Sequence, residues 1–435
     1  MNIVQITPGA GKMYCGACFR DNALVARLRQ LGHSVVMLPL YLPITLDEDD
    51  QTTGTPIFFS GINVYLEQKS SFFRTAPHWL HDLMASPALL NLVAGSAGRT
   101  QPQELGEMTL SMLRGEEGNQ ARELDELIAW LKKQPVQLIS LSDGLLVGMV
   151  RRLKAELRLP VVCTLQGEDV FLDSLPEDCR AAAWELVAQR AAEVDYFIAP
   201  SRYFADLMTR RLRLRPERMR VVHNGINLQG YGEAPRAAAP PAPPALGFFA
   251  RMCPDKGLGT LVDAYVLLKR RDKIKDLRLR IGGSCGPLDK PYVEGMRRRL
   301  AGAGLLGLAE FRVNLSHAAK IDFLRSLTVL STPANYGEAF GLYVIEALAA
   351  GVPVVLPAKG SFPELVEATG GGMICAAGDP LALAEAIEGL LLDPSRARAL
   401  GEAGQAAVHR SFSVQSMADQ VARVYAEAIQ KVLYP

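Results

Sequence analysis

Short apolar runs alternate with longer amphipathic segments along most of this chain, and that rhythm constrains the fold more than any other feature. Runs apolar on both faces, with helical patterns between them, are the signature of parallel sheets covered by helices on either side. In the first half the strands are expected at residues 2–6, 34–38, 136–140, 161–164, 196–198 and 220–222. Helical patterns fall at 20–31, 119–133 and 180–192. Residues 233–245 read EAPRAAAPPAPPA, a proline density that predicts a semi-rigid extended linker. Beyond it the rhythm restarts, with strands at 246–250, 277–282, 309–313 and 328–331 and helices at 257–271 and 292–303. A helix around Glu346 and a strand at Val354 and Val355 follow, and helical patterns then run to the end. With 435 residues the chain is too long for one ordinary core. The predicted division is a first domain over 1–235, a linker over 236–245 and a second domain over 246–412. Each domain is α/β and doubly wound, and ligands of such sheets bind at the carboxyl ends of the strands. Residues 41–114 break the rhythm with turn residues, a hairpin signal around Gly61 and helical pieces, and read as an insertion on one edge.

Composition narrows the partners. A formal net charge of +1 gives no overall field for nucleic acid. Local basic clusters at Arg210, Arg211, Arg213 and Arg215, at 269–271 and at 297–299 each lie in or beside a helical pattern. They read first as solvated helix faces and second as patches for anionic lipid head groups. The segment 79–94, WLHDLMASPALLNLVA, suits contact with a membrane or partner and equally a core helix. No apolar run is long enough to span a bilayer. The seven cysteines are an odd number, and the chain opens straight into a strand. Reduced thiols and a cytoplasmic setting are expected, with peripheral contact at the inner membrane face left open. Cys15 and Cys18 form a C-x-x-C without the second pair or the histidines that a zinc site needs. Asp47, Glu48, Asp49 and Asp50 include a D-x-D, read as a solvated acidic loop because it lies far from any nucleotide-binding turn.

Residues 336–355 read YGEAFGLYVIEALAAGVPVV, a loop that becomes a helix at about Phe340 and ends in a buried strand. The helix N-terminus offers backbone N–H donors from Phe340, Gly341 and Leu342, and such termini attract anions. Glu338 stands before the helix and Glu346 inside it, and carboxylates suit hydroxyls better than phosphate. A ligand with phosphate and polyol parts, a nucleotide sugar, fits both. The stretch resembles the Glu-x7-Glu signature of retaining glycosyltransferases with the GT-B fold, most closely glycosyltransferase family 4. That resemblance implies two Rossmann-like domains facing a central cleft, with a last helix at 413–435 crossing back onto the first domain.

Other segments carry the resemblance further. Residues 246–257, LGFFARMCPDKG, match the family's Arg-x4-Lys-Gly, whose two cations take the donor diphosphate. Here these are Arg251 and Lys256, and each charge-assisted hydrogen bond is worth roughly 1.5–3 kcal/mol. They would stabilise the charge that grows on the leaving diphosphate. The resemblance further assigns Glu346 to the ribose hydroxyls, and Glu338 with the N–H groups of Phe340 and Gly341 to the transferred sugar. Gly283 and Val313 follow strands and would lie near the nucleotide. Residues 7–16, TPGAGKMYCG, are neither a Walker A loop nor a full G-x-G-x-x-G, but Gly9 and Gly11 match the family's glycine-rich loop. Residues 162–173, VCTLQGEDVFLD, place Gln166 where many members have an active-site histidine, with Gly167 and Asp169 in step. Gln exchanges hydrogen bonds but does not titrate. Residues 220–227, RVVHNGIN, read as a strand and turn.

The expected activity is retaining transfer of a sugar from a nucleotide-diphosphate sugar, UDP-linked before GDP-linked, to a glycan, lipid-linked or small-molecule acceptor. No cofactor or metal is expected, because cationic side chains already meet the diphosphate. Two alternatives stay open. One is a non-catalytic nucleotide-sugar-binding protein, suggested by Gln166; the other is a UDP-sugar epimerase on the same fold.

Overall fold

The computed structural model describes residues 1–9, 16–44, 46, 48–52, 54–59, 102–232 and 241–433, with backbone alone for 102–104 and 433. The chain divides into two compact units, Met1–His223 with Met417–Pro435, and Asn224–Ser416. Each is built on a six-stranded sheet whose neighbours all pair in parallel.

The first sheet comprises β1 (Asn2–Thr7), β2 (Ser34–Pro39), β3 (Leu138–Leu141), β4 (Val161–Thr164), β5 (Tyr196–Ala199) and β6 (Met219–Val221), in the order β2-β1-β3-β4-β5-β6. β3, β4 and β5 are buried at every position, as strands covered on both faces must be. The helix Val414–Leu433 belongs to this unit from Met417 onward. Its buried Tyr425 bonds Ser140 Oγ at 2.7 Å and Gln5 Oε1 at 3.3 Å, anchoring the helix to β3 and β1. Near the far end, Glu427 takes Arg220 at 2.5 Å and Tyr196 Oη at 2.9 Å.

The second sheet comprises β7 (Ala245–Phe249), β8 (Arg278–Gly283), β9 (Ala309–Val313), β10 (Val329–Leu330), β11 (Val354–Pro357) and β12 (Gly372–Cys375), in the order β12-β11-β10-β7-β8-β9. The strand order reverses between β7 and β10, which makes their carboxyl ends the natural place for a ligand. β12 departs from the expected run of helices. It is short and half-buried at every position, so it carries neither a buried run nor an alternation to read. The division at His223/Asn224 also falls ahead of the proline-rich segment. There Ile226 N donates to Phe412 O at 3.0 Å and Val414 N to Ile226 O at 2.9 Å, and Ile226 and Tyr231 join the second unit's core. A Cβ on Gly225 would lie 2.2 Å from Ser413 O, so the Asn-Gly pair serves this close backbone crossing.

The hairpin expected around Gly61 and the apolar segment 79–94 lie outside the described residues. So do Gly11, Cys15, Asp47 and most of the proline-rich segment. Among the described residues of the expected insertion, Pro102–Arg114 is a helix.

Candidate functional site

The site is built where the loops after β7 and β10 meet. After β7 the chain runs through Arg251 into a single 3-10 turn, Pro254–Lys256, and Gly257 starts the helix Leu258–Arg271. Gly257 has φ +76°, and a Cβ there would lie 1.8 Å from the Pro333 carbonyl oxygen. Glycine is therefore required twice, for its backbone angle and for the close approach. Asn335 stitches the loops together: its N–H donates to Asp255 O at 2.8 Å and its side-chain amide to Pro254 O at 3.0 Å.

That stitching brings Lys256 to Glu338. Lys256 Nζ donates to Glu338 Oε2 at 2.5 Å, with the two side chains 19% and 12% exposed. Tyr336 and Tyr343 donate to the same oxygen, at 3.0 and 2.8 Å. Lys256 also bonds the Tyr336 hydroxyl and lies 5.0 and 5.4 Å from the two phenol ring centres. Burial, with the Glu338 charge next in weight, pushes both phenols well above the ordinary tyrosine range. Both therefore stay protonated donors.

Arg251 is held from the loop after β8. Its Nε and Nη2 reach Asp289 at 3.0–3.1 Å, and this bonding raises the guanidinium's already high pKa. Asp289 is 7% exposed while Arg251 stays 54% exposed, so the charge is aimed outward from an anchored base. Glu346 lies on the helix Leu342–Ala349 and accepts from Lys320 at 2.8 Å, both side chains being 14% exposed.

Several expectations are corrected in detail. The helix begins at Leu342, not Phe340, because Gly341 at φ +93° is its N-cap residue. Phe340 is a buried loop residue in contact with Phe412. The first-turn N–H groups that no intrahelical carbonyl can reach thus start at Leu342. Gly283 (φ +130°) and Gly9 (φ +76°) admit the protein's own backbone. A Cβ at Gly283 would lie 1.8 Å from Ala250 O, and one at Gly9 1.9 Å from Leu42 O. Val313 ends β9 and is exposed.

The first unit gathers its own polar cluster at the carboxyl ends of β3 and β4. Gln166 Nε2 donates to Ser142 O at 2.7 Å and approaches Asp21 Oδ1 at 3.5 Å. Asp21 is buried, paired with buried Arg20 at 2.9 Å, and accepts from Thr7 Oγ1 at 3.2 Å. Buried Glu168 takes the N–H groups of Gly144, Gln166 and Gly167 at 2.7–2.8 Å. It thereby fixes the loop that carries Gln166 and Asp169. Burial, then the neighbouring Glu168 charge, pushes the Asp169 carboxyl up to about 6. An unfolded aspartate ionises near 3.8, so between these values the folded state holds the extra proton. Stability conferred by this group falls as pH rises through that window and is level above it. Asp169→Asn should therefore raise the melting temperature by about 2–4 °C at pH 7.5 and by less at pH 4.5, read by calorimetry.

Several members of the basic clusters are paired with carboxylates. Arg211 grips Asp173 at 2.7 and 2.9 Å and stacks 4.6 Å from the Trp184 ring. Arg213 pairs with Glu185 at 2.9 Å, Arg215 with Glu217 at 3.5 Å, and Arg271 with Glu385 and Glu388. In the acidic loop, Asp50 Oδ1 is taken by the N–H and hydroxyl of Thr52 at 2.8 and 2.7 Å. Among the described residues, no group of three or more His, Cys, Asp or Glu side chains gathers as metal ligands. No described helix is long and apolar enough to cross a membrane.

Sequence reasoning did not single out Asp289, Lys320, Tyr336, Tyr343 or Asp21. Asp289 sits just before the helix Lys290–Gly302, where its carboxylate accepts from Arg251 and Gly286 N rather than capping the helix. The others act through tertiary contacts that leave no local pattern.

Comparison with known proteins bears on the family and the fold. The family described as "Glycosyl transferases group 1" matches residues 234–407, and "Glycosyltransferase Family 4" matches 92–229. A D-inositol 3-phosphate glycosyltransferase of Streptomyces coelicolor is 32% identical over 56% of this chain and 57% of its own length. The chain thus spans little more than half of such relatives. The D-inositol 3-phosphate glycosyltransferase 1 of Catenulispora acidiphila is 30% identical over 76% of this chain and 77% of its own. Among solved structures, sucrose-phosphate synthase from Thermosynechococcus elongatus aligns over 99% of this chain and 100% of its own, with a TM-score of 0.72 at 19% identity. Anabaena HepE in complex with UDP aligns over 98% and 100%, with a TM-score of 0.66 at 17% identity. These two likenesses speak to the fold. With two parallel-sheet Rossmann-like domains and family matches on both sides of residue 230, the chain belongs to the group 1 glycosyl transferases of GT-B fold.

Proposed function

We propose that the chain is a retaining, metal-independent glycosyltransferase that takes its sugar from a nucleoside-diphosphate sugar, UDP-linked before GDP-linked. The observation that carries this reading is the convergence of Lys256 and Glu338 beside the N-terminus of the helix Leu342–Ala349. One arrangement supplies a cation for phosphate, a carboxylate for hydroxyls and oriented N–H donors. Solved relatives of the same fold hold UDP and UDP-glucose, which supports the choice of base.

In this reading Arg251 and Lys256 meet the diphosphate, Glu346 the ribose and Glu338 the transferred sugar. Acceptor hydroxyls are assigned to Gln166 and Asp169. The bond from the sugar's C1 to the diphosphate oxygen breaks, and the bond from C1 to the acceptor oxygen forms on the same face. The acceptor's proton passes to the departing diphosphate, whose charge the two cations stabilise more as it grows. Gln166 need not titrate in this scheme. The acceptor class spans glycans, lipid-linked glycans and small polyols; the inositol phosphate named for the relatives supports the last.

The test is transfer from an α-linked UDP-sugar with chelator present, followed by proton NMR of the product anomer. An α-linked product formed without metal is expected. A β-linked product would refute retention, and activity that vanishes with chelator would refute metal independence.

A further inference from the structure

We infer that Tyr336 and Tyr343 are positioning residues for the donor sugar, holding Glu338 by one carboxylate oxygen so that the other faces the ligand. The inference rests on the function proposed above and adds residues to it. Its basis is the way donors divide over Glu338. Lys256 Nζ, Tyr336 Oη and Tyr343 Oη all converge on Oε2, at 2.5, 3.0 and 2.8 Å. Oε1 receives none of these bonds.

The backbone of Glu338 is fixed independently. Ser361 N donates to Glu338 O at 2.9 Å, and Gly360 passes so close that a Cβ there would lie 2.4 Å from Glu338 N. Tyr343 is fixed too: it is buried, stands in the first turn of the helix Leu342–Ala349, and meets Phe362 edge-on with ring centres 6.4 Å apart. Two phenols on rigid supports thus aim one carboxylate.

Their purpose follows from what a donor would do to Lys256. A diphosphate competes with Glu338 for the Lys256 ammonium, and as the cation turns toward phosphate the carboxylate loses its strongest partner. Neutral phenol donors do not follow the phosphate. They keep Oε2 satisfied and leave Oε1 oriented toward a sugar hydroxyl at the moment the cation is engaged elsewhere. Preorganised polar groups of this kind lower the cost of reorganisation during reaction.

The experiment is a double-mutant cycle on the full chain, pairing Tyr343→Phe with Glu338→Gln and reading donor kcat/KM, with calorimetric affinity for UDP alone alongside. Tyr343→Phe should lower donor kcat/KM about tenfold in the native background and less than about twofold in the Glu338→Gln background. Affinity for UDP, which lacks the sugar, should change less than about twofold. Tyr336→Phe, at a less buried position, should show the same pattern. An equal tenfold loss in both backgrounds, or a matching loss of UDP affinity, would mean that the phenols act structurally and would overturn the inference. Native protein that binds UDP yet turns over no nucleotide sugar would overturn the proposed function and this inference together. Native turnover with additive tyrosine effects would overturn this inference alone.

Discussion

Replacing Lys256 with alanine should lower the rate of sugar transfer by about 100- to 1,000-fold, the usual loss when one charge-stabilising donor is removed from a reacting centre. The side chain is largely buried and paired with Glu338 at 2.5 Å, so alanine also leaves that carboxylate without its cation. The two effects separate by substrate. Loss of the diphosphate contact weakens UDP itself, whereas disorder at Glu338 weakens only the sugar-bearing donor. Lys256→Arg should not restore full activity, because its planar fork cannot reproduce a compact ammonium between two phenols. Steady-state kinetics of both variants, with calorimetry of UDP, would check this. Full transfer by Lys256→Ala would remove the cation from the mechanism.

Gly257→Ala should destabilise the second unit by about 2–6 kcal/mol. The backbone angle of +76° disfavours any Cβ by about 1–3 kcal/mol. The contact with Pro333 O at 1.8 Å forces an overpacking shift of about 1–3 kcal/mol. The neighbour is backbone, so no rotamer change relieves it. The expected shift moves the 254–257 turn away from residues 333–335, and Lys256 moves with it. Melting and donor affinity should therefore fall together. Denaturation of Gly257→Ala with donor titrations below the transition would show both; unchanged stability would mean that the turn yields cheaply.

Much of the fold was legible because parallel strands covered on both faces leave continuous apolar runs. β4 and β9 coincide with their predicted bounds, and most other strands shift by a residue or two. β12 was missed as a four-residue edge strand, whereas β9, an edge strand at least as exposed, was read through its place in the alternation. Within the site, Lys256, Gly257, Glu338 and Glu346 stood out because they fall in motifs that resemble the family's Arg-x4-Lys-Gly and Glu-x7-Glu, at a turn glycine and a helix start. Tyr336, Tyr343, Asp289 and Lys320 did not, since each matters only for what it meets across the sheet's carboxyl edge. The Phe340 onset was misplaced by two residues because Gly341 reads as a tolerated helix glycine until its positive φ is known. The glycines at 9 and 283 looked like openings for a ligand. In the structure they admit the backbone of Leu42 and Ala250, a close approach that composition does not reveal. The carboxylate partners of Arg211 and Arg213, Asp173 and Glu185, come from other helices, so the pairing within the basic cluster left no local mark.

The central claim is that the second unit holds a nucleotide-sugar donor through Glu346, Lys256 and Arg251. The most direct measurement is calorimetric binding of UDP-, GDP- and ADP-sugars, with chelator present, to the native chain and to Glu346→Ala. The account predicts metal-free binding of one nucleotide class, strongest for UDP, weakened at least about tenfold in the variant. Absence of binding to all three, or equal affinity in the variant, would contradict it.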